Sequence, residues 1–294
     1  MSWIEQAALV ECGGDELVAV VSLPARAPSR TGVVIVTGGP QYRVGSHRQF
    51  VLLARALSER GFPCIRFDYR GMGDATGAER GFESVDDDIA AAIGALAGAA
   101  PGVERVVLLG LCDGASAACL YAPNDPRVAG AVLLNPWVRT EASEAKTYLK
   151  HYYLKRLGDR EFWTKLWRGR LSIGDSVRSL ASAVLRSRGG KTGGGAGAPA
   201  DLPSRMAAAI GGSRVPLLIV LSGRDYVARE FELVTQSHAA WSELFAAADV
   251  ERLDDADHTF SSRAFRDDVA ARVTRWIESR FADAGEVSRP AVRV

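Results

Sequence analysis

Five runs of Val, Ile and Leu constrain this chain more than any other feature: GVVIVTG (32–38), PCIRF (63–67), RVVLLG (105–110), VAGAVLLN (128–135) and VPLLIVLSG (215–223). A strand with one wet face alternates apolar and polar residues, whereas a strand of parallel sheet covered by helices on both faces is apolar nearly throughout. Amphipathic stretches separate most of the runs, so the expected architecture is α/β, a mostly parallel central sheet with helices on both faces. The early segments AALVEC and ELVAVVSLP, separated by GGD, predict an antiparallel hairpin at the sheet edge. Near the other end, Phe265, Val269, Val273, Trp276 and Ile277 recur at helical spacing and predict a last helix with one face on the sheet.

From Trp137 to about residue 212 the alternation stops. Helical segments rich in aromatics (Tyr148, Tyr152, Tyr153, Phe162, Trp163, Trp167) are followed by RGGKTGGGAGAPAD. This predicts a helical cap over 137–212 inserted into a core of 1–136 and 213–294. Its glycine-rich piece, about 188–200, cannot offset its ordering entropy by burial and reads as a flexible loop.

Composition narrows the function classes. Of 294 residues, 47% are apolar and 24% charged, with a net charge of +1, so no clustered basic excess marks a nucleic-acid or anionic-lipid partner. The longest membrane-like stretch, IAAAIGALAGAA, is far shorter than the roughly 20 residues a bilayer span needs. Cys12, Cys64, Cys112 and Cys119 lack CxxC spacing, and MSWIEQAALVECGGDE lacks a basic segment followed by an apolar one, so a reduced, cytoplasmic setting is expected. No metal or cofactor is implied.

In an open α/β sheet the reactive groups sit just beyond the carboxyl ends of the strands. Four such turns stand out: TGGPQ, GLCDG, SGRD and DADHTF. In GLCDG, glycines at 110 and 114 permit the sharp strand-to-helix turn that lifts a nucleophile clear of the sheet, and the central residue is Cys112. An acid and then a histidine are expected after it in chain order. Asp225 and His258 fill those places at strand ends. His258 would take the thiol proton and return it to the leaving group, while Asp225 would hold the imidazole in the right tautomer. Backbone N–H groups of Gly39 and Asp113 are the expected oxyanion donors; Pro40 has no N–H, and Gln41 is the next contributor from that loop.

Each reading has a plainer rival. A lone cysteine is more often buried and inert than catalytic; the acid and histidine downstream reverse that prior for Cys112. Ser116 competes as nucleophile but lies a full turn into the helix. Asp225 could simply cap the following helix. Asp254, Asp255 and Asp257 could replace it beside His258, although they read as solvated loop charges. His47 lies near a helix start within reach of the site, and His151 on the cap. Cys119 reads as core. FDYRGMGDATG reads as a structural loop, its turn fixed by Asp68 and Arg70.

These turns, together with GGPQYRVGSHRQF, FDYRGMGD, LNPWVRTEASEAKTYLKHYY and SGRDYVAREF, resemble the α/β-hydrolase superfamily over nearly all of residues 5–282. Within it, the chain resembles the first type of exosortase A system-associated hydrolase of bacterial exopolysaccharide loci. The resemblance implies a bacterial cytosolic hydrolase with Cys112, Asp225 and His258 as its triad. The chain departs from the commoner pattern in having Cys for Ser, and Thr37 where a His often precedes the oxyanion glycine.

The expected activity is hydrolysis or transfer of an acyl group from an ester, thioester or lactone through an acyl-cysteine. The acyl donor would be a small molecule or carrier-bound. The pocket is expected under the cap, with Gln41, His47, Trp137, Tyr148 and Tyr152 as candidate lining. The rival from another class is a non-catalytic, hydrolase-like scaffold or binding protein of an exopolysaccharide assembly.

Overall fold

The computed structural model describes residues 3–25, 28–39, 41–138 and 200–281. Tyr148, Tyr152, His151 and most of the expected cap, with nearly all of its glycine-rich piece, lie outside the described residues.

Eight strands form one sheet in the order β1-β2-β4-β3-β5-β6-β7-β8. They are β1 (Trp3–Cys12), β2 (Asp15–Pro24), β3 (Thr31–Val36), β4 (Cys64–Asp68), β5 (Arg105–Leu111), β6 (Val128–Leu134), β7 (Leu217–Ser222) and β8 (Asp249–Leu253). From β4 to β8 every pairing is parallel; β1 and β2 pair antiparallel with each other, and β2 with β4. The edge hairpin turns on Gly13 and Gly14, whose φ values of 60° and 88° suit the two-residue turn that matches strand twist.

The unalternating runs are explained by two hydrophobic layers. Along β3, Val33 and Ile35 face one layer and Val34 and Val36 the other; β5 and β7 alternate in the same way. One layer is closed by α1 (Gln49–Glu59) and the long last helix α7 (Arg263–Phe281), which contributes Val269, Val273, Trp276 and Ile277. The other is closed by α2 (Asp86–Ala99), α3 (Asp113–Tyr121), α4 (Leu202–Gly211), α5 (Tyr226–Ser237) and α6 (Ala239–Ala247). Of the stretch expected to form the cap, α4 is described, and its Met206 and Ile210 are buried in this second layer.

Strand order places the site. From β3 the chain steps outward to β4, then crosses back to β5 on the opposite side of β3. The connections after β3 and β5 therefore run in opposite directions, which makes this pair the switch point at the carboxyl edge, where open sheets bind ligands. TGGPQ and GLCDG lie at the start of those two connections.

The loop FDYRGMGDATG is structural, as expected, and more heavily tied than its sequence shows. Buried Asp68 accepts the Asp74 N–H at 3.1 Å and pairs with Arg43 from the loop after β3. Arg70 is buried with Asp88 at 2.9 Å, locking the same loop to α2.

Candidate active site

Cys112 occupies a turn that only unusual backbone can make: φ 59°, ψ −124° between the end of β5 and the start of α3. A non-glycine residue at positive φ is strained, and such strain persists where surrounding contacts over-determine it. Here the Cys112 N–H donates to the Leu134 carbonyl at 2.9 Å, and its carbonyl accepts N–H groups from Ala115, Ser116 and Trp137 at 3.1, 3.2 and 3.1 Å. The flanking glycines are needed for room. A Cβ on Gly110 would lie 2.3 Å from the Gly114 carbonyl, and one on Gly114 would lie 2.5 Å from the Val36 carbonyl.

His258, in the loop after β8, hydrogen-bonds Oδ2 of Asp225 through Nδ1 at 2.8 Å, and the Cys112 side chain is close enough to the ring to raise its pKa. Burial opposes charge on the imidazole, but Asp225 and Cys112 outweigh it and raise the His258 pKa from 6.5 to about 10. Asp225, 6% exposed, is both cap and partner: it accepts the Val227 and Ala228 N–H groups at 3.1 Å each while holding the ring. The two readings of Asp225 thus describe one side chain with enough lone pairs for both.

A clamp the sequence analysis did not single out holds the histidine loop. Asn135, fully buried just past β6 with φ 44°, donates from Nδ2 to the His258 carbonyl and to Ser222 Oγ, each at 2.9 Å. Its Oδ1 accepts the Ser222 N–H at 2.8 Å, and Ser222 Oγ donates to the Asp257 carbonyl at 2.9 Å. The available signal was position: an amide immediately after a buried strand, at the same edge as the reactive turns.

Asp257 corrects the expectation of solvated loop charges. It accepts N–H groups from Thr259 and Ser261 at 3.2 and 2.9 Å and also the Ser261 hydroxyl. Although burial opposes its charge, these bonds and nearby His47 hold its carboxyl below the usual range. Asp254 and Asp255 are exposed, the latter paired with Arg224 at 2.5 Å.

Ser116 is fully buried, and its hydroxyl donates to the Trp137 carbonyl at 2.5 Å. Trp137 is half-buried, with its backbone stapled to the elbow. His47 is exposed in the turn before α1, close enough to influence Asp257. Gln41 has its Oε1 buried without a hydrogen-bond partner among the described residues. A cavity of about 60 Å³ between α1 and α7, lined by Gln49, Phe50, Phe260 and Arg266 among others, includes none of Cys112, Asp225 and His258.

The N–H groups expected to be oxyanion donors face a carboxylate of the chain itself. Oδ2 of Asp113 accepts the Gly39 N–H at 2.8 Å, and the backbone N–H of Asp113 itself lies beside the same carboxylate and acts to lower its pKa. The Gly114 N–H donates to Oδ1 at 3.1 Å, and the Gln41 N–H is turned to the Gly39 carbonyl at 2.7 Å. The side chain can fold back this way because residue 38 is glycine: a Cβ there would lie 2.2 Å from Oδ1. Burial pushes the Asp113 carboxyl above its usual range, while the three N–H groups and nearby His258 act in the opposite direction.

Among the described residues, no group of three or more His, Cys, Asp or Glu side chains could hold a metal ion, and no helix is long and apolar enough to cross a membrane. All four cysteines are free.

A family model described as the alpha/beta hydrolase family matches residues 33–272. No curated protein sequence matches. Solved structures resemble the chain in fold. The Pyrococcus furiosus esterase Pf2001 is 14% identical, with a TM-score of 0.64 over 95% of this chain and 92% of that one. Est1E of Butyrivibrio proteoclasticus, solved with ferulic acid bound, is 16% identical, with a TM-score of 0.61 over 94% and 100%. A hypothetical protein of Pseudomonas aeruginosa is 17% identical, with a TM-score of 0.60 over 95% and 94%.

Proposed function

The chain belongs to the alpha/beta hydrolase family, and on that premise we propose that it is an acyl hydrolase or acyltransferase whose nucleophile is the Cys112 thiol. The observation that supports this reading is the His258–Asp225 hydrogen bond at 2.8 Å with Cys112 beside the same imidazole, at the carboxyl edge of the sheet. The thiol proton passes first to His258, and sulfur attacks the acyl carbon as the thiolate. The tetrahedral intermediate then expels an alcohol or thiol that leaves with that proton. The product is an acyl-cysteine, itself a thioester, which water or another acceptor cleaves with His258 as base. The raised His258 pKa favours the protonated ring at neutral pH, so the proton needed by the leaving group is stored beside the sulfur.

The resemblance to exosortase-associated hydrolases supports a small or carrier-bound acyl donor in a bacterial cytoplasm; it carries a genomic association rather than a substrate. The expected cap is the source we assign to its pocket, with Trp137, Tyr148 and Tyr152 as candidate lining; α4, within the expected bounds, belongs instead to the core layer.

The test is a panel of p-nitrophenyl esters and acyl thioesters with mass spectrometry of the protein. Wild type should turn over at least one and carry the acyl mass on Cys112; Cys112→Ala should lose both, and Ser116→Ala should lose neither. A Ser116-dependent reaction would move the nucleophile, and no turnover with no acylation would sink the enzyme reading. A non-catalytic binding role is the second reading, favoured by one observation, the carboxylate lying against the Gly39 and Asp113 N–H groups.

A further inference from the structure

The Asp113 carboxylate stands where a reacting carbonyl oxygen should go. Backbone N–H groups of Gly39 and Gly114 donate to it at 2.8 and 3.1 Å, and that of Asp113 itself lies beside it; Gly39 and Asp113 are the donors expected for developing negative charge. A carboxylate oxygen on an N–H donor copies the oxyanion in charge, geometry and distance. It is also tethered, so it competes at high effective concentration. No Lys or Arg ion pair with Asp113 exists among the described residues; the titratable groups near it are His258 and buried Tyr69.

We propose that Asp113 is a specificity-determining residue: its carboxylate closes the oxyanion hole to neutral acyl donors, and acyl donors carrying a cationic group near the carbonyl draw it aside. The inference rests on the acyl-transfer reading of Cys112. Its physical basis is that a neutral ester offers the N–H groups only a carbonyl oxygen, a weaker acceptor than the carboxylate already there. A cation offers the displaced carboxylate a replacement partner in a poorly hydrated site, where an unpaired charge is costly.

The experiment compares isosteric substrates in wild type, Asp113→Ala and the shape-conserving Asp113→Asn. One pair is acetylthiocholine and S-(3,3-dimethylbutyl) thioacetate; the other is the p-nitrophenyl esters of 4-(trimethylammonio)butanoate and 5,5-dimethylhexanoate. A ratio of kcat/KM within a pair is independent of the fraction of correctly folded enzyme. Wild type should prefer the cationic member of at least one pair. In both variants the neutral substrates should react about tenfold faster, as the loss of one charge-assisted hydrogen bond predicts, and the preference should collapse. Alkylation of Cys112 by iodoacetamide, which needs no oxyanion hole, should stay unchanged.

Neutral rates that fall or do not move in both variants, with alkylation unchanged, overturn the role of Asp113 and leave Cys112 as nucleophile. A preference lost without a rise in the neutral rate also overturns it, because simple charge attraction then suffices. No acylation of Cys112 in any of the three proteins overturns the acyl-transfer reading and this inference with it.

Discussion

Oδ2 of Asp225 lies 2.8 Å from Nδ1 of His258 and 3.1 Å from the Ala228 N–H, so one oxygen anchors both a helix and a ring. Asp225→Asn keeps a capping oxygen but removes the charge, and the amide can donate to the ring. Turnover should fall by about 10²- to 10⁴-fold with little loss of stability. Asp225→Ala should lose activity to a similar extent and in addition cost about 1 kcal/mol of cap stability. Steady-state kinetics beside urea unfolding separates the two; near-normal turnover of Asp225→Asn would reassign the partner of His258.

The His258 imidazole is raised from 6.5 to about 10 by its two partners. For a group raised on folding, the stabilisation is complete below the unfolded value near 6.5, declines as pH rises from there, and is gone above about 10. The stability gap between wild type and His258→Gln should therefore shrink between pH 6 and pH 10. In an NMR titration the His258 midpoint should lie well above the ordinary imidazole value of 6.5 and move down in Asp225→Asn. A midpoint at the ordinary value would remove the stored proton from the mechanism.

Asn135 makes three buried hydrogen bonds and sits at positive φ, which asparagine tolerates better than alanine. Asn135→Ala leaves the Ser222 N–H without its acceptor and releases the carbonyl of His258. The expected cost is about 2 kcal/mol, together with a fall in kcat, because the loop that aims the imidazole is loosened. Denaturant unfolding and kinetics on one preparation test both, and unchanged values would show that other contacts hold the loop.

Two glycines should respond in opposite senses. Gly110→Ala places a methyl 2.3 Å from the Gly114 carbonyl and should destabilise by about 3 kcal/mol, because neither backbone can retreat. Gly94→Ala, inside α2 with nothing within 4 Å of the new Cβ, should stabilise by about 0.5–1 kcal/mol. Thermal unfolding of the two variants is sufficient, and matching shifts would argue against the tight elbow.

The strands were legible because burial on both faces leaves little room for polar residues. The elbow was legible because Gly110 and Gly114 have no substitute at those distances. Chain order pointed to Asp225 and His258, and the structure brings them together. What sequence could not reveal depends on side-chain direction. Nothing in the string CDG says that Asp113 turns back onto Gly39 rather than out to solvent. Asn135 and Ser222 look like ordinary strand ends until the sheet places β6, β7 and β8 side by side. Asp257 resembled its solvated neighbours because a turn-organising carboxylate and an exposed one share a letter.

Two hydrogen bonds described at the elbow, Trp137 N–H to the Cys112 carbonyl and the Ser116 hydroxyl to the Trp137 carbonyl, also have a mechanical meaning. They moor the chain leaving β6 to Cys112, which four backbone hydrogen bonds hold at positive φ. Force applied beyond residue 138 is therefore borne at the mooring before it can reach β6. Loss of either bond should thus be felt at Cys112 as well as at Trp137.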